Sequence, residues 1–259
     1  MFPRQLVVII DNDNVREGYS LSTPIANSTL LTAHPVALLK LRKADALYHT
    51  LKRRVILSEL APGAAIAEQH IAAEFGCSQG TVREALMRLE QDGLVARRGY
   101  RGTVVSATNL AEVAQMVSIR LGIERSGVER TAGRVDPEHY ARLRQTVEEM
   151  DAASNAGDAY ACSELDREFH AQLLRASGMD SLEPIFRRCA LHMHRYTVKD
   201  VAEFFSDGDI GNTHHRLLET VAHGTIDAAT KAMREHVLDV LRQWSPTLLA
   251  ALGNGNDRA

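Results

Sequence analysis

Three cysteines, Cys77, Cys162 and Cys189, are all the chain has, and no two of them form a CxxC pair. An odd and scattered set excludes a disulfide framework and points to reduced thiols and a cytoplasmic setting. No apolar run approaches the ~18 residues of a membrane span. The apolar patch Leu6 to Ile10 is too short for a secretory signal and no small-residue cleavage site follows it. Low-complexity tracts and internal repeats are missing, which excludes a solenoid. An excess of positive charge is missing too: 30 Lys and Arg stand against 33 Asp and Glu, a net charge of −3. The total therefore gives no hint of a polyanionic partner.

What is present is an ordinary globular balance, 45% hydrophobic and 24% charged, over 259 residues, a length that fits two domains. The charge is unevenly spread. Residues 36–106 hold 11 basic and 7 acidic side chains; residues 107–259 hold 17 and 23. A basic segment joined to an acidic one suggests that only the first meets a polyanion. Residues 1–35 read as a flexible N-terminal arm, with a short edge strand over Leu6 to Ile10 as the alternative.

The basic segment is organised around Ser78 to Val95. Val82, Ala85, Leu86 and Leu89 follow the spacing of one helix face. Ser78 can cap the helix start and Gly93 can end it. The other face is read as carrying Gln79, Thr81, Arg83 and Arg88, side chains able to contact base edges or phosphates in a major groove. A helix over 37–58 precedes it, with Arg53 on its outer side. A shorter one from about Glu68 to Phe75 follows, broken by Gly76. Two helices across a tight glycine turn make a helix-turn-helix. After Gly93 come two β-prone runs around RRGYRG, predicting a basic wing in which Arg98, Arg101 and Gly102 approach phosphates or the minor groove. Residues 36–106 thus read as a winged helix-turn-helix domain.

Beyond Asn109 the periodicity is helical throughout. Helices are predicted over 109–133, 137–156, 158–177, 180–200, 208–223, 225–243 and 245–252, an all-α antiparallel bundle spanning 107–252 and followed by a disordered tail, 253–259. The fold class is mainly α. Asp166 and His170 are four apart and share a helix face. His214 is three, four and seven residues before Leu217, Leu218 and Val221, which turns it inward; its neighbour His215 is the rival. With His236 on the next helix, three imidazoles and a carboxylate would meet in one interior, a donor set for a divalent transition metal: Zn first by ligand type, Ni or Mn as alternatives. The plainer reading is a surface Asp–His pair among eleven histidines.

The run PGAAIAEQHIAAEFGCSQGTVREALMRLEQDGLV, followed by RRGYRGTVV, resembles the DNA-binding domain of GntR-family transcriptional regulators, and the helical remainder resembles the FCD ligand-binding domain of the FadR subfamily. Two departures stand out: Gln79 and Thr81 occupy places where the family commonly has arginine and proline, so the family's usual operator does not carry over. The resemblance implies metal ligands at Asp166, His170, His214 and His236. It also implies a pocket arginine at Arg120, in an RxxxE arrangement that could equally be an Arg120–Glu124 ion pair, with Arg195 as a second effector ligand. His192 and His194 either line the same pocket or are plain polar neighbours. The expected function is a metabolite-responsive regulator, with repression the commoner mode. It would bind double-stranded palindromic operator DNA as a homodimer and sense a small organic acid, with no membrane partner. The alternatives are a hydrolase-like metalloenzyme, against which the lack of an HExxH motif counts, and an architectural DNA-binding dimer without effector.

Overall fold

The computed structural model describes residues 7–11, 14–18, 35–99, 102–201 and 209–256. The chain divides into two units, residues 1–39 and 40–259. In the first, β1 (Val7–Asp11) pairs antiparallel with β2 (Asn14–Gly18), Ile10 opposite Val15. The predicted flexible arm thus contains a hairpin. Four β-branched residues in a row, Val7 to Ile10, supply its strand propensity.

The second unit opens with the winged helix-turn-helix. Helix α1 (Pro35–Ile56) buries Ala44, Leu47, Leu51 and Val55 along one stripe. After Pro62 the chain turns at Gly63, whose φ of +82° is a left-handed conformation that favours glycine. A two-residue strand follows, β3 (Ala65–Ile66), then α2 (Glu68–Glu74) and α3 (Gln79–Gln91). Ser78 caps α3, its hydroxyl accepting from Thr81 N at 3.1 Å. Gly93 N–H donates to Glu90 O and Leu94 N–H to Leu89 O, a Schellman closure. Strands β4 (Val95–Arg97) and β5 (Thr103–Val105) form the wing, and β3 joins them, so the sheet runs β3-β5-β4 with Ala65 opposite Val104. This third strand is missed in the sequence because two residues carry no periodicity.

The bundle follows as α4 (Leu110–Thr131), α5 (Pro137–Asn155), α6 (Ala159–Ala176), α7 (Glu183–Val201), α8 (Asp209–His223), α9 (Ile226–Trp244) and α10 (Pro246–Asn256). Starts are fixed by local chemistry. Asn109 and Glu112 form a reciprocal capping box, Asp136 caps α5 before Pro137, and Thr225 caps α9. Helix α4 packs on α6, α7, α9 and α10, while α5 covers α6 and α8. Val113, Val117, Leu143, Met150, Phe169, Leu218, Val237 and Leu241 fill the centre, each contributing roughly 1.5–3 kcal/mol of burial. Helix α10 continues to Asn256, into the segment predicted as a disordered tail, anchored by buried Leu248. One bundle residue, Leu191 of α7, belongs to the core of the winged domain. Among the described residues no helix is long and apolar enough to cross a membrane.

Candidate metal centre and nucleic-acid interface

Inside the bundle, α6 presents Asp166 and His170 one turn apart, α8 presents His214, and α9 presents His236. One ligand atom from each lies within 4.8 Å of all the others. His214 Nε2 is 3.1 Å and His170 Nε2 3.7 Å from Asp166 Oδ1, and the Nε2 atoms of His170 and His236 face each other at 3.3 Å. All four residues are buried. Phe169, between the two α6 donors, packs edge-on against His170 and His214 and fixes their planes. The rival His215 points outward instead, its Nε2 2.9 Å from Asp151 Oδ2.

The electrostatics suit a cation. Burial raises the Asp166 carboxyl, but the His194 and His170 rings facing it outweigh that and hold it well below the usual carboxylate range. Burial, helped by His214 and His170, lowers His236 far below the ordinary imidazole, so it is a neutral donor at pH 7. Glu124 of α4 sits behind His170: its Oε1 is 2.7 Å from His170 Nδ1, off the line of a good hydrogen bond. A carboxylate there favours the proton on Nδ1 and leaves Nε2 with a lone pair facing the cluster. Glu124 Oε2, Asp166 Oδ2 and His170 Nδ1 are buried without a well-formed hydrogen bond. Three imidazoles and a carboxylate converging on one buried point fit a divalent transition metal.

Arg120 is 1% exposed and joins the site from α4. Its Nε donates to Glu124 Oε1 at 3.1 Å, Nη2 lies 3.5 Å from Asp166 Oδ2, and Nη1 points at the Met193 sulfur, 3.6 Å away. The two readings of the RxxxE pair are therefore both present: an ion pair with Glu124, and a position against the cluster. Arg195, expected as a second effector ligand, has its Nη1 buried without a hydrogen-bond partner. It donates Nη2 to Ser106 O at 2.6 Å, so it ties α7 to the segment joining the two domains. His194, left open in the sequence, stands 3.1 Å from Asp166 Oδ2. Glu124 and His194 were recognisable as polar residues, but nothing in the spacing told which ligands they would touch.

Residues 43–105 match the gntR family of bacterial regulatory proteins and residues 115–239 match the FCD domain. The HTH-type transcriptional repressor RspR of Escherichia coli is 30% identical over 194 residues, covering 75% of this chain and 85% of RspR. The chain belongs to the GntR family of transcriptional regulators. An HTH-type regulator from an unstable DNA locus of Streptomyces ambofaciens is 29% identical over 79% of the chain and 88% of its own length. The E. coli McbR/YncC structure superposes with a TM-score of 0.64 at 20% identity, covering 79% of this chain and 98% of that one, and shares its fold. This GntR protein is a DNA-binding transcriptional regulator with an FCD effector domain, not an enzyme, and the hydrolase-like alternative falls.

The side chains expected to contact DNA are not all exposed in this GntR regulator. Ser78, Gln79 and Arg83 are exposed on α3, and Met87, 47% exposed, extends their row one turn further. Arg83 is held 2.7 Å from Glu68, and Arg88 lies 2.6 Å from Asp45 and over the Tyr48 ring. Thr81 departs from expectation: it is 3% exposed, and its hydroxyl is 2.9 Å from Ser78 Oγ. It completes the cap and cannot reach a base, because the first turn of α3 points that position at the core. Arg53 also departs. It lies over the Tyr160 ring and 4.0 Å from Asp158, on the bundle side of the domain. On the wing, Arg98 is exposed, its N–H donating to Gly102 O, with Gly102 at φ +69° closing the turn. Arg101 lies outside the described residues.

Proposed function

We propose that this regulator is a metal-dependent sensor of a small carboxylic acid that represses transcription and releases DNA when the acid binds. The observation that carries the reading is the convergence of Asp166, His170, His214 and His236 on one buried point beside Arg120. These four residues would hold a divalent transition metal, Zn first by ligand type and Ni or Mn otherwise. A bound metal with an open position offers a Lewis-acidic seat for a carboxylate oxygen. Arg120, whose Nη1 points at the Met193 sulfur, can give that N–H to the second oxygen. Water is kept out by Phe169 and Phe186, both fully buried beside His170.

In this reading residues 36–106 bind a palindromic operator as part of a homodimer, one recognition helix per half-site, and residues 107–252 dimerise and hold the effector. Gln79 and Arg83 read base edges, Gln79 favouring adenine. Ser78, Arg88, Arg98, Arg101 and Gly102 hold the phosphate backbone. Elemental analysis of the purified chain should find one transition metal per protomer. Affinity for a duplex selected from random DNA should then fall when C2–C6 carboxylic acids are screened against the metal-loaded protein. A chain without metal, whose DNA affinity ignores both chelator and every acid, overturns the reading.

A further inference from the structure

The two oxygens of Asp166 serve different neighbours. Oδ1 faces His214 and His170. Oδ2 faces away from the cluster, 3.1 Å from His194 Nε2 and 3.5 Å from Arg120 Nη2. His194 is not one of the four converging donors; it comes from α7. Its other nitrogen, Nδ1, is 2.7 Å from Arg167 Nη1. A guanidinium can only donate, so Nδ1 must accept and the ring proton must sit on Nε2, the nitrogen 3.1 Å from Asp166 Oδ2, although it is off the line of a well-formed hydrogen bond. The tautomer of His194 is thus fixed by Arg167, and its N–H lies beside the carboxylate of a candidate metal ligand.

Arg167 donates in the opposite direction as well. Its Nη2 bonds Glu164 Oε1, and Glu164 Oε2 accepts from Lys52 Nζ at 2.9 Å. Lys52 belongs to α1, in the DNA-binding domain. Lys52, Arg167 and His194 are all buried, while Glu164 between them keeps 32% of its side chain exposed; removing a partner from either end leaves a buried neighbour unsatisfied. The same helix that carries His194 grips the other domain by backbone. Arg188 Nη1 donates to Gln91 O, His192 Nε2 is 3.1 Å from Asp92 O, and Arg195 holds Ser106 O.

We propose that His194 is a positioning residue for Asp166, and that the chain Lys52–Glu164–Arg167–His194–Asp166 is the route by which occupancy of the metal centre sets the placement of the DNA-binding domain. The inference rests on the metal reading above. If Asp166 held a cation, less of its charge would be left for His194. Arg167 holds His194 and Glu164 at once and passes the change to Lys52, whose only anchor on the bundle side is Glu164 among the described contacts.

The test uses the full chain, Zn2+ as the metal probe, and a duplex selected by the wild type from random DNA. Zn2+ affinity is read by competition with a chromophoric chelator; duplex affinity is read with Zn2+ and with chelator. The wild type should bind Zn2+, and the metal should change duplex affinity by about 5-fold or more. Lys52→Met keeps the buried stem and lies outside the cluster. It should bind Zn2+ within about twofold of wild type, while the effect of Zn2+ on DNA falls below about twofold. His194→Phe should weaken Zn2+ binding by about 10–100-fold, and His194→Gln, which restores a donor towards Asp166, should recover most of it. An undiminished Zn2+ effect on DNA in Lys52→Met overturns the route, as does wild-type Zn2+ that leaves DNA binding unchanged. Undiminished Zn2+ affinity in His194→Phe overturns the positioning role. A wild type that takes up no Zn2+ overturns the metal reading itself, and this inference with it.

Discussion

On recognition helix α3, Arg83 meets Glu68 and Arg88 meets Asp45 with between 28% and 60% of each side chain exposed. In the bundle, Arg120 meets Glu124 and Asp166 with 1% of its side chain exposed. The residue types match; the settings are opposite. An exposed pair is worth about 0–1 kcal/mol, so its arginine can be handed to a phosphate at little cost. A buried one is held because its loss leaves a charge without solvent or partner. Arg83 and Arg88 on α3 stay exchangeable and Arg120 stays fixed, which suits a surface that must bind and release DNA and a centre that must hold its shape.

The sharpest way to break this contrast is to cut the fixed pair. Glu124→Ala should destabilise the protein by about 3–5 kcal/mol in urea unfolding, since Arg120 loses its buried acceptor and His170 loses the carboxylate beside its Nδ1. A loss no larger than that of a surface pair would mean that the buried charges are solvated. The seam between the regions comes next. Gly93 has φ +76°, and a Cβ there would stand 2.6 Å from Arg188 Nη2 and 3.0 Å from His192 Nε2. Gly93→Ala should cost about 2 kcal/mol through backbone strain and a loosened α7 contact, with a lowered melting temperature as the readout. A shift of similar size is expected from alkali, and it touches both regions. Burial pushes the Cys162 thiol up to about 11. Burial and the Asp92 carboxylate raise Tyr48, and burial and Glu164 raise Tyr160. Above pH 9 the unfolded chain gives up protons that the fold retains, so stability should fall as pH rises from about 9 to 11, with Cys162 contributing about 2 kcal/mol. A flat melting temperature over that window would refute it. The smallest change in stability should come from Arg83→Ala, under about 1 kcal/mol, although binding to a selected duplex should weaken by about 1–3 kcal/mol.

Much of this was legible in the chain because helix boundaries are written locally. Asn109 with Glu112, Asp136 before Pro137, and Thr225 each announce a start, and the structure begins α4, α5 and α9 within a residue or two of the predicted limits. The inward phase of His214 is likewise a property of its own helix. What stayed hidden depends on partners far along the chain. Glu124 meets His170 across 46 positions, and His194 meets Asp166 from another helix. Arg53 and Arg195 were assigned by where their Cα would sit, but a long side chain chooses among several neighbours, and these two chose Tyr160 and Ser106. Thr81 was misread for a different reason: in the first turn of a helix a residue next to the cap can be drawn inward by the cap itself.

Leu191 has a meaning for modularity. It is a bundle residue that completes the core of the winged domain, 86 positions after the last wing strand ends at Val105. The division by chain order and the division by packing therefore disagree, at Leu191 and at Ala159 and Tyr160, which pack against the same core. Anyone recombining this DNA reader with a foreign sensor would need to bring a leucine on the corresponding helix along with it, or accept a hole in the reader's core that no choice of linker could close.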